Sequence, residues 1–377
     1  MKIEYLFFEL LQVSIGVRQC LSATPSAQEW QKLFDLAMKQ SLLGIAFSGV
    51  ERLPREQWPM QSLILQWYGY VVAIEQQNAS AFEVCRLLTQ RLQADGFCSC
   101  ILKGQANLAH YERSLAVRRN CGDIDIWVVP ADKSQRHPVC SVLEYLDSRK
   151  AILSLCYLHA EVKPVRDVPV EVHLRPSFLN APLANRRLQQ LFADFDTCVA
   201  MTDIHSLATL PTLQIRYDII FQLCHIYRHL IDEGVGLRQV LDYYMLLQAW
   251  HRSRPQSADS VVCDIRRMGM MRFARALMYV MRRVFAMPSD YMIVPESEVD
   301  GHFLLNEILQ AGNFGHYDPR MSPLVVRRGK TAYQLQRAWR RFVRNLRFIT
   351  SYPDEVFWEP PTRFCHFLWR KYRLWRF

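Results

Sequence analysis

An α+β fold, with a small mixed sheet set between N-terminal and C-terminal helical regions, is what this 377-residue sequence predicts. Up to Ala94 apolar side chains recur at helical spacing. Between residues 96 and 180 short apolar runs rich in β-branched residues alternate with helical stretches and turn residues. From Leu183 the helical period returns. The expected organisation is a helical domain over 1–95, a sheet domain over 96–180, a helical domain over 181–320 and a basic amphipathic tail over 321–377.

In chain order, Ser26 and Glu29 after Pro25 have the spacing of a capping box, and Trp30, Leu33, Phe34 and Ala37 come next on one helical face. A long helix is expected from about Pro59 to Ala94, where Asp95-Gly96 ends it. Phe97–Leu102 reads as a buried strand entering a turn at Lys103-Gly104, and Gln105–Tyr111 as one or two turns of helix. Ile124–Val129 reads as a strand stopped by Pro130, and Ala131–Arg149 as a helix. Leu153–Leu158, Ala160–Val165 and Val168–Leu174 read as strands, the last two joined at Arg166-Asp167. Helical periodicity is then expected to run from Leu183 to about Leu309, and the polar stretch Gly312–Ser322 breaks it. In the tail, Leu335, Trp339, Phe342, Val343 and Leu346 form one helical stripe and Arg337, Arg340, Arg341, Arg344 and Arg347 the other. Pro353, Pro360 and Pro361 are expected to punctuate the chain after that helix.

Half the residues are hydrophobic and 22% are charged, a balance that excludes an intrinsically disordered chain. The eleven cysteines are odd in number and scattered, and Cys98-Ser99-Cys100 lacks a second pair at zinc spacing. Reduced core thiols and a cytoplasmic location are the expectation. Leu6–Val17 is apolar, but Glu4 and Glu9 interrupt the segment and no small-residue cleavage site comes after it. No stretch reaches the ~18 uninterrupted apolar residues of a membrane span, so no transmembrane segment is expected. The net charge of +10 resides wholly in Met321–Phe377, with thirteen Lys/Arg against three acids. An anionic partner is therefore expected to meet the tail.

Asp123 and Asp125, in Gly122-Asp-Ile-Asp-Ile126, are the centre of the functional reading. Side chains two apart on a strand share a face, and two carboxylates buried there among isoleucines repel unless a cation lies between them. Hard divalent ions take such oxygen ligands and commonly hold substrate phosphates as well. A third carboxylate from a neighbouring strand would complete a two-metal clamp, and Glu171 in Val170-Glu-Val-His-Leu174 is the candidate. Gly104 after Lys103 lets backbone amides approach phosphate, and a helix after it turns its positive end to the ligand. Arg118 and Arg119, just ahead of the acids, offer further phosphate contacts.

These residues in this order resemble the nucleotidyltransferase (polymerase beta-like) superfamily, and more narrowly its uncharacterised bacterial nucleotidyltransferase family. The resemblance rests on Ile101–Gly104, on Arg119 with Gly122–Ile126, and on Val170–His173. It extends to His229–Gln239 with Asp242-Tyr-Tyr244, and to Gly312-Asn-Phe-Gly-His316, covering roughly residues 30 to 350. It implies transfer of a nucleotidyl group from a nucleoside triphosphate such as ATP to an acceptor hydroxyl. Two magnesium (or manganese) ions would be held by Asp123, Asp125 and Glu171, and Glu171, or a metal-bound hydroxide beside it, would help to deprotonate the acceptor. Lys103, Gly104, Gln105, Arg119 and Gly122 are the implied nucleotide-binding positions. The usual Gly-Gly or Gly-Ser turn is Gly104-Gln105 here, which removes a hydroxyl contact to phosphate.

Blander readings stand beside these. Glu171 alternatively pairs with Lys163 or Arg175 on the surface. His173, His229 and Arg238 are candidates for contacting the acceptor or orienting the metal ligands. His225 and His229, four apart, equally suit a packed helix face, and Arg238 and Asp242 a helical ion pair. The tail helix has three readings: packed by its apolar stripe on the body, laid on an anionic surface, or bound to nucleic acid. The rival functions are a non-catalytic nucleotide- or polyanion-binding protein, and a toxin-like transferase acting on tRNA or protein.

Overall fold

Four helices come first: α1 (Lys2–Ser14), α2 (Ala27–Lys39), α3 (Leu43–Arg52) and α4 (Gln61–Ala94). In this computed structural model residues 2–253, 257–320 and 330–372 are described, with side chains for all of these except 330–335 and 337. The apolar N-terminal run is a core helix, with Phe7, Leu10 and Leu11 fully enclosed. α2 begins with the predicted capping box: Ser26 N donates to Glu29 Oε2 at 2.8 Å and Glu29 N to Ser26 Oγ at 3.3 Å. Its predicted face, Trp30, Leu33, Phe34 and Ala37, is buried.

The sheet is mixed, in the order β3-β4-β5-β2-β1-β7-β6. Its strands are β1 (Phe97–Ile101), β2 (Ile124–Pro130), β3 (Ile152–Leu155), β4 (His159–Val165), β5 (Val168–His173), β6 (Val199–Ile204) and β7 (Ala208–Leu213). The short helix α5 (Arg113–Ala116) and helix α6 (Pro138–Ser148) lie between the early strands, and α7 (Pro182–Leu191) and α8 (Phe195–Cys198) precede β6. At the centre β2 runs parallel to β5, and each has an antiparallel partner on its other side. Arg166 and Asp167, both at positive φ, turn β4 into β5 as expected.

Three readings need correction. Helix α6 starts at Pro138 rather than Ala131. The stretch read as helical from Leu183 contains the hairpin β6–β7, whose strand β7 pairs in parallel with β1. Its turn residues, His205 and Ser206, take positive φ without the Gly or Asn that announces such a turn. Pro360 and Pro361 do not end a helix either, because α15 (Pro353–Lys371) runs through them. Contacts outside the helix hold it: Glu355 accepts from Asn180 N and Ala181 N, Thr362 Oγ1 donates to Asn180 O, and Arg363 pairs with Asp232.

The remaining helices are α9 (Ile215–Asp232), α10 (Leu237–Arg252), α11 (Asp259–Arg267), α12 (Met271–Phe285), α13 (Glu298–Ala311) and α14 (Lys330–Phe348). α9 and α10 are buried on most sides and carry the core beneath the sheet. α14 turns part of its basic stripe inward, against the reading that packs its apolar stripe on the body. Trp339, Phe342 and Leu346 are exposed, whereas Arg344 is 2% exposed. Its guanidinium donates to Ile231 O at 3.0 Å and Leu230 O at 2.6 Å, satisfying carbonyls that the last turn of α9 leaves open. Of the predicted stripes, Leu335 and Arg337 lie outside the described side chains, as do tail residues 321–329 and 373–377. Among the described residues no helix is long and apolar enough to cross a membrane.

Candidate active site

Strand parity and register assemble the acids. Asp125 on β2 lies opposite Glu171 on the parallel neighbour β5, and Asp123 shares the face of Asp125. One carboxylate oxygen from each of Asp123, Asp125 and Glu171 falls within 4.8 Å of the others. Asp125 is 1% exposed. Leu102 N donates to Asp125 O at 3.0 Å, which extends the β1–β2 pairing and brings Lys103 beside the acids. Lys103 Nζ stands 2.8 Å from Asp125 Oδ2, yet that buried oxygen lacks a well-aligned hydrogen bond. Such an oxygen, in a set of three hard donors, fits a divalent cation.

Histidines complete the row. His173 on β5 is hydrogen-bonded to Asp125 Oδ1 at 2.9 Å and lies 3.7 Å from Glu171 Oε2. His159 on β4 stands 3.2 Å from the same Glu171 oxygen. Burial would raise the Glu171 carboxyl, but the His173 hydrogen bond and the charges of His159 and Lys103 hold it at about 2. Asp125 is likewise lowered against its burial by Lys103 and His173. Burial opposes the charged forms of Lys103 and His173, yet the surrounding carboxylates raise both. So Glu171 meets two histidines rather than Lys163 or Arg175. Its low pKa suits a metal ligand, while a good general base needs a pKa nearer to the working pH.

The turn before the acids departs from expectation in one respect. Gly104 takes φ +62°, which only glycine adopts freely, and a Cβ there would lie 3.5 Å from Asp123 O. The next element is only a 3-10 turn, Ala106–His110, with little aligned dipole to offer a phosphate. Gln105 is fully enclosed, and both polar atoms of its amide lack a partner.

The segment 117–122 is clamped so that Asp123 enters β2 at a set height. Asn78 on α4 donates to both Val117 O and Arg119 O at 2.8 Å. Arg119, 4% exposed, grips Asp242 of α10 with Nε at 3.0 Å and with Nη2, and Tyr111 OH donates to the same carboxylate at 2.7 Å. Arg119 lines a small recess beside Lys103 and Asp123, but its guanidinium is committed to Asp242. Arg118 turns away to Glu51 and Glu75. Asp242 is therefore not the partner of Arg238. Arg238 donates to Asn120 O at 3.0 Å and faces the same recess, and burial together with the neighbouring Arg119 lowers it to about 10.

Beyond the recess opens a cleft of ≈ 910 Å³ with walls of opposite character. Asp123, Asp125 and Glu171 lie on the sheet side. The other side carries Arg228 and His229 of α9, Arg340, Arg341 and Arg344 of α14, and Arg363 of α15. Its rim is the loop Phe314–His316, pressed backbone to backbone on the α9–α10 connection. A Cβ on Gly234 would meet Gly315 N at 2.8 Å, and one on Gly315 would collide with Glu233 O. This contact brings together the two glycine-containing segments, distant in sequence. His229 and His225 both line the cleft; His225 is the more deeply buried and is held neutral by burial and by His229. Sequence reading missed Arg228. It left the α14 arginines open among packing, an anionic surface and nucleic acid, and their number was the available signal.

A family model described as "uncharacterised nucleotidyltransferase" matches residues 26–286, which takes in the acids, the whole sheet and α9 to α12. Among solved structures, that of an antigenic nucleotidyltransferase-like protein from Paracoccidioides brasiliensis is similar at 14% identity. The likeness covers 45% of this chain and 75% of that one, with a TM-score of 0.29. No curated protein matches the chain.

Proposed function

This chain belongs to the uncharacterised nucleotidyltransferase family, and from that premise we propose that it moves a nucleotidyl group from a nucleoside triphosphate to an acceptor hydroxyl at Asp123, Asp125 and Glu171. The observation that supports this most is the convergence of those three carboxylates on one point, with Asp125 buried beside Lys103. Two divalent ions, magnesium or manganese, would offset charge on the attacking and leaving oxygens when bound. The protein's own part is to keep Asp125 and Glu171 ionised, through His173 and Lys103, and to aim them into the cleft. Lys103, the positive-φ turn at Gly104 and Arg238 border the recess next to Asp123, where the triphosphate would lie. Preorganised charge of this kind is worth about 10²- to 10³-fold in rate per group removed.

Incubation with each α-labelled nucleoside triphosphate, magnesium and a cell extract tests the proposal. Label should pass to an acceptor with the wild-type chain and not with Asp123→Ala, whose fold should persist. Full transfer by Asp123→Ala would refute it.

A second reading has one specific observation behind it. Lys103 Nζ already supplies a positive charge 2.8 Å from Asp125, so the acids are tolerable without an ion. A protein that binds nucleotide without turnover fits that arrangement. Magnesium-dependent protection by a triphosphate with no labelled product, however long the incubation, would favour it.

A further inference from the structure

The basic side of the cleft has no task in holding the metals, and its construction is costly. An amphipathic helix ordinarily buries its apolar stripe and leaves its charges in water. α14 does the opposite, leaving Trp339 65% and Phe342 51% exposed while directing Arg340, Arg341 and Arg344 to the cleft. Carboxylates also line this side. Asp232 pairs with Arg363 and Asp318 with Arg320. Glu233 lies 3.8 Å from His229, whose pKa burial lowers, and its carboxyl is held low by that histidine and in part by the charge of Arg228. Arg344 is used up in closing the end of α9. Arg228 and Arg340 are left with no carboxylate within ion-pair reach among the described residues, and each has a buried Nε without a hydrogen-bond partner. Two guanidinium groups outside any ion pair among the described residues, both lining the cleft, suit a doubly charged oxyanion, and Arg228 also lies over the Phe178 ring.

We propose that this wall is the acceptor subsite, and that the acceptor is a small molecule bearing a phosphate monoester as well as the hydroxyl that reacts. The assignment rests on the nucleotidyltransferase reading. In that reaction the acceptor oxygen bonds to the α-phosphorus, the bond from that phosphorus to the bridging oxygen breaks, pyrophosphate leaves with the electron pair, and the hydroxyl proton passes to solvent in the open cleft. Three features divide the cleft between the two substrates. The triphosphate is provided for in the recess beside the acids by Lys103, Gly104 and Arg238. The arginine wall stands across from the acids, where the attacking molecule enters. At ≈ 910 Å³ the volume sits near the top of the ~300–1,000 Å³ range of small-molecule sites, which suits a nucleotide with a small companion better than a nucleic-acid strand. α14 and α15 also lie beyond residues 26–286, so Arg340 and Arg363 belong to the part of the chain outside the family match, while Arg228 of α9 lies inside it.

The test uses the full chain, magnesium, a non-hydrolysable α,β-methylene nucleoside triphosphate and inorganic phosphate as the probe. Phosphate should bind the nucleotide-loaded protein at millimolar concentration. Arg228→Gln with Arg340→Gln should weaken it at least about tenfold while leaving nucleotide affinity within about threefold. Arg370→Gln, an exposed change outside the cleft, should leave both unchanged, and melting curves should show all variants folded. Competition between phosphate and nucleotide, or an equal loss of nucleotide affinity in the double variant, would make the wall part of the triphosphate cradle and overturn the proposal. So would an absence of phosphate binding to the loaded wild type, or binding that RNA oligonucleotides displace at far lower concentration. If the wild type binds no nucleotide at all, the nucleotidyltransferase reading fails, and the phosphate titration of the unloaded protein judges the wall separately.

Discussion

Asp242→Asn should be among the most damaging substitutions outside the acid cluster. Arg119 and Asp242 are 4% and 3% exposed and meet through two guanidinium nitrogens, one of them at 3.0 Å. At an effective dielectric constant of about 20, charges about 3 Å apart attract by roughly 5 kcal/mol, and the cost of desolvating both offsets most of this. Removing one partner cancels the attraction and leaves the desolvation cost in place, so Asp242→Asn should lower stability by about 3–5 kcal/mol. Arg119→Met combined with Asp242→Leu removes the stranded charge and should cost distinctly less than the sum of the single changes. Urea unfolding of the four proteins gives the coupling energy. Because the pair clamps the segment that delivers Asp123, Asp242→Asn should also weaken Mn²⁺ binding in the folded protein. A single variant within about 1 kcal/mol of wild type, or a double variant that is strictly additive, would refute this account.

Other parts of the molecule yield three further expected outcomes. Lys103→Met removes the cation inside the acid cluster, so Mn²⁺ affinity should rise about tenfold while triphosphate affinity falls; a parallel fall in both, by calorimetry, would mark Lys103 as structural. Glu355 is held at about 7 by burial, against its hydrogen bonds from Asn180 N and Ala181 N. Its folded-state proton is retained where the unfolded chain has lost it. The stability it contributes is therefore full below about pH 4.5 and falls by about 3 kcal/mol as pH rises to 7 and beyond. Glu355→Gln should flatten that decline in melts from pH 5 to 8, and an unchanged slope would disprove it. Arg344→Met leaves the end of α9 uncapped and should cost about 2–4 kcal/mol, read as a lower urea midpoint.

The legible parts were those set by neighbours in sequence. The capping box at Ser26 and Glu29, the apolar runs of β1, β2 and β5, and the shared parity of Asp123 and Asp125 are local patterns, and the structure forms them. The hairpin β6–β7 escaped because His205 and Ser206 adopt positive φ without the residues that usually signal it. α15 escaped because its prolines are outweighed by contacts to Asn180 and Asp232, far away in sequence. Around the site the same division holds. Periodicity pairs Asp242 with Arg238 one helical turn away, whereas the fold gives it to Arg119, 123 positions distant. The stripe on α14 was visible, but which stripe turns inward depends on the open carbonyls at Leu230 and Ile231 and on an oppositely charged cleft, neither of which short-range pattern reveals.

The contact of Gly315 with Glu233 and Gly234 also has a mechanical consequence. Main chain resting on main chain leaves no side chain to slide or swing, so that rim works as a weld between the cleft and the α9–α10 joint. Opening for traffic then falls to α14, whose C-terminal half is tied down by Arg344, by Asn345 to Glu359, by Arg347 to Glu307 and by the buried Phe348. Amide hydrogen exchange should accordingly be slow at Gly315 and faster in the N-terminal half of α14 than in the half those contacts hold.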